Sequence, residues 1–357
     1  MPAVADVSPP APRARPRDLG VVIGSLPPGP HDAITDVGVR VGHATVWHDD
    51  PFVARSGVTA ILPDDLAIQF AHPATAGVAV LNGAGELTGS IGIREWGLIE
   101  TPILLTNTMG VGAAYQGIVD AMVAASAEVG VDDVVIPVVG ECDDSWLHDA
   151  RSFAITPAVA RAALDSATGD LPPSGAIGAG AGMTCFGCKG GIGTASRVTG
   201  SGIVGALVLA NFGELARLTI AGAVVGPRLV DAGYGRGDQP DARGSCIVVL
   251  ATDAPLTATQ CERLARRAGL GLGRVGSIGH HGSGEIFVAF STSARVDRDE
   301  RGTQIVVARQ SDGALDALFE AAVDATEAAV LDALFVADSV TGRDGHEVRG
   351  LPVDLLL

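Results

Sequence analysis

Short apolar, often β-branched runs recur along this chain, each of strand length and each closed by Gly, Pro or Asp. They are Gly20–Gly24, Val58–Leu62, Gly77–Leu81, Ile103–Thr106 and Val134–Val139, then Ile203–Ala210, Ile247–Ala251, Ile286–Phe290 and Ile305–Ala308. A strand-length run with closed ends can bury both faces only inside a layered sheet structure. Helical periodicity is rarer. Gly112–Ser126 places Ile118, Val119, Met122 and Val123 on one face, and Pro157–Ser166 is rich in alanine. Thr257-Ala-Thr-Gln260 reads as a capping box opening a helix over Cys261–Ala268. Asp312–Phe335 is the longest helical pattern, with Leu315, Leu318, Phe319, Val323, Val330 and Leu334 at three- and four-residue steps. Strands in groups with few, long helices favour an α+β fold over strict βαβ alternation.

Composition narrows the function. The chain has 357 residues, 47% of them hydrophobic, enough for a large core and for one large domain or two ordinary ones. Its 48 glycines and 4% aromatic content predict an interior of small side chains with close backbone approaches. A net charge of −17 repels phosphate backbones and argues against nucleic-acid partners. The apolar runs are too short for a membrane span. The opening MPAVADVSPPAPRARPRDLG lacks the apolar core of a signal peptide; it reads as a disordered lead over residues 1–19, and the protein as cytoplasmic. No internal repeat is visible. The one linker candidate is Asp231–Gly244, rich in glycine.

Several motifs are weak. Gly178-Ala-Gly-Ala-Gly182 and Gly190-Gly-Ile-Gly193 lack the full dinucleotide fingerprint and read as glycine turns. His280-His281 would point to opposite faces of a strand, so no metal centre is expected. The five cysteines form no secreted framework. Cys185-Phe-Gly-Cys188 is a lone CxxC, read as buried thiols sooner than a zinc or redox pair.

Other positions are more pointed. Gly244-Ser245 stands at the seam between the flexible linker and the apolar run from Cys246. On local sequence this is a loop end or a delivered hydroxyl. Gly279-His-His-Gly-Ser-Gly-Glu285 is a second Gly-rich loop running into a strand. Ser283 and Glu285 are two apart, so an extended backbone turns both the same way, as a proton relay needs; a turn with a solvated acid is the plainer reading. Asn211 ends one apolar strand, where its amide can serve an oxyanion or cap the strand. Glu141 ends another.

Together these pieces carry a resemblance. Ala33-Ile-Thr-Asp-Val37 with Val41-Gly-His43, Arg55–Pro63, Gly85–Gly89, Glu100–Ile103 with Thr106-Asn-Thr108, Lys189–Ser196, Ala210–Gly213, Ala251–Pro255 and Thr341–Gly345 occur in one order. From about Gly24 to Leu351 the chain resembles the L-aminopeptidase/D-esterase and β-peptidyl aminopeptidase family, a self-processing branch of the N-terminal-nucleophile-like hydrolases.

The resemblance implies a four-layer α-β-β-α fold over residues 20–357, a single catalytic domain cut into an α-chain (1–244) and a β-chain (245–357). It implies cleavage between Gly244 and Ser245, with Ser245 as nucleophile and Ser283, Glu285 and Asn211 as its catalytic partners. Glu141, with Asp143 and Asn107 near it, would bind substrate. The implied reaction is hydrolysis of the amide or ester bond after a small N-terminal residue, an α- or β-amino acid, of a peptide or aminoacyl compound, through an acyl-serine. No cofactor is implied; assembly into a tetramer of αβ units is. One departure is clear: Glu141-Cys142-Asp143 stands where relatives read Glu-Thr-aromatic, so a phenol donor is missing, and Trp146 is the nearest residue of similar volume. Rival readings are an acyltransferase of the ornithine acetyltransferase type, disfavoured by serine in place of threonine, and an amine-binding scaffold without turnover.

Overall fold

The computed structural model describes residues 13–235, 244–300, 302 and 306–356. Its elements run β1 (Arg40–His48), β2 (Ala54–Leu62), α1 (Leu66–Ala71), β3 (Ala74–Gly83), α2 (Ser90–Trp96), β4 (Leu98–Ile99), β5 (Ile103–Asn107), α3 (Val111–Ala125), β6 (Val138–Cys142) and α4 (Pro157–Asp165). A hairpin β7–β8 (Thr184–Cys185, Cys188–Lys189) precedes β9 (Gly191–Thr199) and β10 (Gly202–Asn211). After the hairpin β11–β12 (Thr219–Ile220, Ala223–Val224) come α5 (Gly226–Asp231), β13 (Ser245–Thr252), α6 (Ala258–Ala265), α7 (Ala268–Arg274), β14 (Gly284–Arg295) and α8 (Leu315–Val336).

The two main sheets have the orders β1-β2-β5-β6 and β4-β3-β14-β13-β10-β9. Strand alternation decides what lies on each face. Ile61, Ile103 and Leu105 of the first sheet meet Leu207, Leu209, Ile247, Val249 and Ile286 of the second in a core between the sheets. The opposite face of the larger sheet, with Val208, Cys246, Val248 and Phe287, packs on α6, α7 and α8. The outer face of the smaller sheet, with Val58, Ala60 and Leu104, packs on α3 and α4. This is the four-layer α-β-β-α arrangement. β13 lies in the middle of the larger sheet, antiparallel to β10 and parallel to β14.

Thr257 caps α6 in the expected box with Gln260. Three strand expectations fail. Gly20–Gly24 pairs with no strand, and the 134–139 run becomes β6 only from Val138, after Pro137, which has no N–H for a ladder. Ile305 lies outside the described residues, and Val306–Ala308 stay irregular with Val306 99% exposed. Conversely, Gly190-Gly-Ile-Gly193 is not a turn but opens β9. A Cβ on Gly193 would strike the Ala329 carbonyl of α8, so glycine there permits close helix-on-sheet contact. Of the expected disordered lead, residues 1–12 lie outside the described residues, but the rest is held. Pro16–Leu19 form a 3-10 turn, and Arg15 Nε donates to the buried Asp332 carboxylate of α8 at 2.7 Å. Of the linker candidate, residues 236–243 lie outside the described residues.

Candidate active site

Ser245 is the first residue of β13 and only 5% exposed. In the ladder it stands between Asn211 of β10 and Gly284 of β14. The carbonyl just before it, that of Gly244, accepts from the Gly284 N–H at 3.2 Å. Gly244 is packed so closely that a Cβ there would lie 2.5 Å from the Asn211 carbonyl oxygen, which explains glycine at the seam. Ile247 and Val249 face the core between the sheets, so alternation turns the Ser245 side chain that way too. The Cys142 thiol of β6 also faces that core, donating to the Leu209 carbonyl at 3.7 Å.

Ser283 and Glu285 are brought together as the spacing predicts. The Ser283 hydroxyl donates to Glu285 Oε1. Glu285 is fully buried, its Oε2 has no hydrogen-bond partner among the described residues, and burial raises its pKa while Ser283 and then His280 pull it back. They flank Gly284, the register partner of Ser245. Glu285 itself pairs with Cys246, so the two side chains lie on the helix-facing side, away from the Ser245 hydroxyl. The reason is parallel register: neighbours in a ladder share a face, and Glu285 is one step past Gly284.

The Asn211 amide is fixed at both ends. Its Oδ1 accepts from the Thr184 N–H at 2.8 Å, and its Nδ2 donates to the Asp143 carbonyl at 2.8 Å. One amide hydrogen remains for another acceptor. The loop that carries Thr184 is pinned by Lys189, fully buried, whose Nζ donates to the carbonyls of Gly180, Met183 and Gly190 at 2.7–2.9 Å.

Glu141 is the last residue but one of β6, 4% exposed. Its Oε1 accepts from the Glu86 N–H at 2.9 Å, and its Oε2 from the Thr108 hydroxyl. No cation pairs with it among the described residues. Burial, and then the charges of Asp143 and Glu86, raise its pKa against the pull of those two hydrogen bonds. Gly85 lies over it: a Cβ there would sit 3.1 Å from Glu141 Oε1 and 3.6 Å from the Gly284 Cα. The exposed 83–86 loop therefore bridges the carboxylate and the strand pair that holds Ser245.

The other two sequence-level candidates sit differently. Asn107 is buried with its amide engaged at both ends: Nδ2 donates to Ser56 Oγ at 2.7 Å, and Oδ1 caps the next turn by accepting from the Gly110 N–H at 2.6 Å. It directly precedes Thr108 and, like Asn211, keeps one amide hydrogen for another acceptor. Asp143 does not extend β6. The strand stops at Cys142, and the exposed Asp143 side chain accepts from the Ser145 N–H at 2.9 Å. Trp146 is stacked on His346, 3.8 Å between centroids, and is turned to that partner. Sequence reasoning missed Thr108, Glu86 and Gly284 as contacts. Their contributions are a lone hydroxyl and backbone groups, which carry no motif.

Burial pushes the thiols of Cys142 and Cys246 well above the ordinary cysteine value, so neither neighbour of Ser245 offers a thiolate. Cys185 and Cys188 pair across the buried β7–β8 hairpin. His280 and His281 join no metal-holding group, and none is found among the described residues.

The family model for peptidase family S58 matches residues 32–348. The chain belongs to peptidase family S58. An S58 relative, the β-peptidyl aminopeptidase BapA of Sphingosinicella microcystinivorans, is 40% identical, with 95% of this chain and 89% of that protein covered. Among solved S58-like structures, the L-aminopeptidase D-Ala-esterase/amidase of Ochrobactrum anthropi superposes with a TM-score of 0.88 at 41% identity, over 96% of each chain; it is a variant of the Ntn hydrolase fold. The β-aminopeptidase of a Burkholderia species superposes with a TM-score of 0.87 at 40% identity, over 96% of this chain and 97% of that one. Membership in S58 supports an aminopeptidase, and hence a hydrolase. No helix among the described residues is long and apolar enough to cross a membrane.

Proposed function

We propose that the chain cuts itself between Gly244 and Ser245, and that the freed Ser245 is the nucleophile of an aminopeptidase for small N-terminal residues. The observation that carries this reading is the buried Ser245 at the head of β13, with the carbonyl before it already held by a backbone donor, the Gly284 N–H. In the cut, Ser245 Oγ bonds to the Gly244 carbonyl carbon and the C–N bond breaks, leaving an ester and a free amine. Water then opens the ester, giving the Gly244 carboxylate.

The freed α-amine has an unperturbed pKa of about 7.7–8.0 and can serve as base near neutral pH. In turnover it takes the Ser245 proton as Oγ attacks the substrate carbonyl, and passes it to the departing amine. The acyl-serine is then hydrolysed. The remaining Asn211 amide hydrogen supports the oxyanion. Ser283 and Glu285 lie across the sheet from the hydroxyl, so they are assigned to the amine of Ser245, not to its Oγ. Glu141, a buried carboxylate with no cation, is assigned to the substrate's ammonium group, since an unpaired buried charge is strongly disfavoured. The relatives named as β-peptidyl aminopeptidase and L-aminopeptidase D-Ala-esterase/amidase make both α- and β-amino acid amides the substrates to try.

An intact-mass spectrum of denatured protein tests the reading. Two polypeptides are expected, the smaller beginning Ser245-Cys246-Ile247, and Ser245→Ala is expected as one inactive chain. Full hydrolase activity from an uncut chain would sink the mechanism.

A further inference from the structure

The residue that holds the Ser283 loop in place is on a different strand and belongs to none of the assignments above. Asn82, near the end of β3, sends its side-chain Nδ2 to three carbonyls of that loop: His280 at 2.8 Å, His281 at 3.2 Å, and Ser283. The Ser283 N–H in turn donates to the His280 carbonyl at 2.8 Å, so the same carbonyl serves both clamps. Asn82 is aimed there by an irregularity. Glu285 pairs with Asn82, but the next residue, Ile286, pairs with Val80, so Leu81 is an extra residue bulged out of the β3–β14 ladder. A bulge re-aims the side chain beside it, and such bulges gather next to active sites. Leu81 is 57% exposed, so the bulge is not there to fill the core.

We propose that Asn82 is a positioning residue, aimed by the Leu81 bulge to clamp the 280–283 loop so that the Ser283 hydroxyl stays bonded to Glu285. The inference rests on the reading of Ser283 and Glu285 as groups serving the Ser245 amine. An asparagine suits the place because a carboxamide nitrogen only donates and the loop presents only carbonyls. Aspartate would turn an acceptor toward three acceptors. The groups facing Glu285 are Ser283 and His280 on its own loop and the Cys246 thiol on β13, with Glu214 3.9 Å from His280. Releasing the loop removes the Ser283 hydrogen bond and draws His280 away. Both losses push Glu285 in the same direction, toward a higher pKa.

The test uses the full chain as Asn82→Ala, Asn82→Asp and Glu285→Gln, with Asn82→Ala/Glu285→Gln as the double variant. Self-cleavage is read by intact mass, and kcat and KM on an alanyl anilide across pH. Asn82→Ala is expected to lower kcat about tenfold with KM changed less than about twofold, a loss confined to the transition state. The acid limb of its kcat profile should move to higher pH. Asn82→Asp should lose at least as much, and keeps the experiment usable if the alanine variant folds poorly. In the Glu285→Gln background the Asn82→Ala loss should largely vanish, since groups acting in series are not additive. Unchanged kcat and an unmoved acid limb in Asn82→Ala, while Glu285→Gln is impaired, would overturn the clamp alone. A full additive loss in the double variant would do the same. Full activity in Glu285→Gln would overturn the relay reading, and the clamp with it.

Discussion

Glu141 carries the clearest residue-scale consequence, because among the described residues it has two hydrogen bonds and no cation. Its raised pKa means that it loses charge at a higher pH than an ordinary glutamate. An incoming ammonium group needs the charged form. KM for a free-amine substrate is therefore expected to rise as pH falls through that raised value, with kcat less affected; a KM flat across the acid range would argue against the assignment. Glu141→Ala should raise KM on an alanyl anilide at least tenfold, while self-cleavage at Ser245, which involves no external amine, continues. N-acetyl-alanyl anilide should be a poor substrate for the unaltered protein, and equal initial rates on the two would point to a general amidase. At this scale Ser245, Asn211, Glu141, Ser283 and Glu285 stand beside apolar runs, but that local pattern fits loop ends and caps equally, and only the family resemblance assigned them to a site. Thr108 and Asn82 were assigned to none, because their work is done across strands far apart in the chain.

Among the elements, the β9–α8 contact and the loop before β9 support the site from behind. Gly193 lets α8 lie directly on β9, and a methyl group there must push the helix backbone away. Gly193→Ala is expected to cost about 1–3 kcal/mol, the usual range for overpacking a tight interior, read as a lower urea midpoint. Lys189 is the other support. Its ammonium satisfies three carbonyls of the loop that presents Thr184 to Asn211. Lys189→Met keeps the bulk and removes the donors, so stability should fall by on the order of 3 kcal/mol for the acceptors left buried. Loss of kcat should accompany it, since Asn211 then loses its fixed orientation. Equal stability of the methionine variant would mean that water reaches those carbonyls.

For the whole molecule, the position of β13 decides what self-cleavage can do. The strand that would begin the β-chain is inserted between β10, which precedes the proposed cut, and β14, which follows it. Its residues line the core on both faces of the sheet. A cut at its first residue severs the chain without freeing either piece. The two chains are therefore expected to co-migrate in native size exclusion and to separate only in denaturant. Separation under native conditions would contradict this interlocked sheet. The tetramer of αβ units that the family resemblance implies is tested in the same run by light scattering, where a mass near four times 36.0 kDa is expected.

Alternation, caps and closed apolar runs depend on neighbours along the chain, and these determined the fold class, the α6 cap and most strands of both sheets. They also marked the strand ends that carry the candidate side chains. The same local logic misread Gly190–Gly193 as a turn, because a glycine strand is favoured only once α8 is known to cover it. The resemblance placed Asp143 beside Glu141, whereas β6 stops at Cys142 and the exposed Asp143 accepts from the Ser145 N–H instead. Spacing put Ser283 and Glu285 on one face and the resemblance made them partners of Ser245, but spacing along one strand does not say which face the neighbouring strand turns to them. Only the parallel register of β13 with β14 decides that, and only the Leu81 bulge brings Asn82 to the loop. Register and bulges arise from pairing between distant segments, where no local pattern can record them.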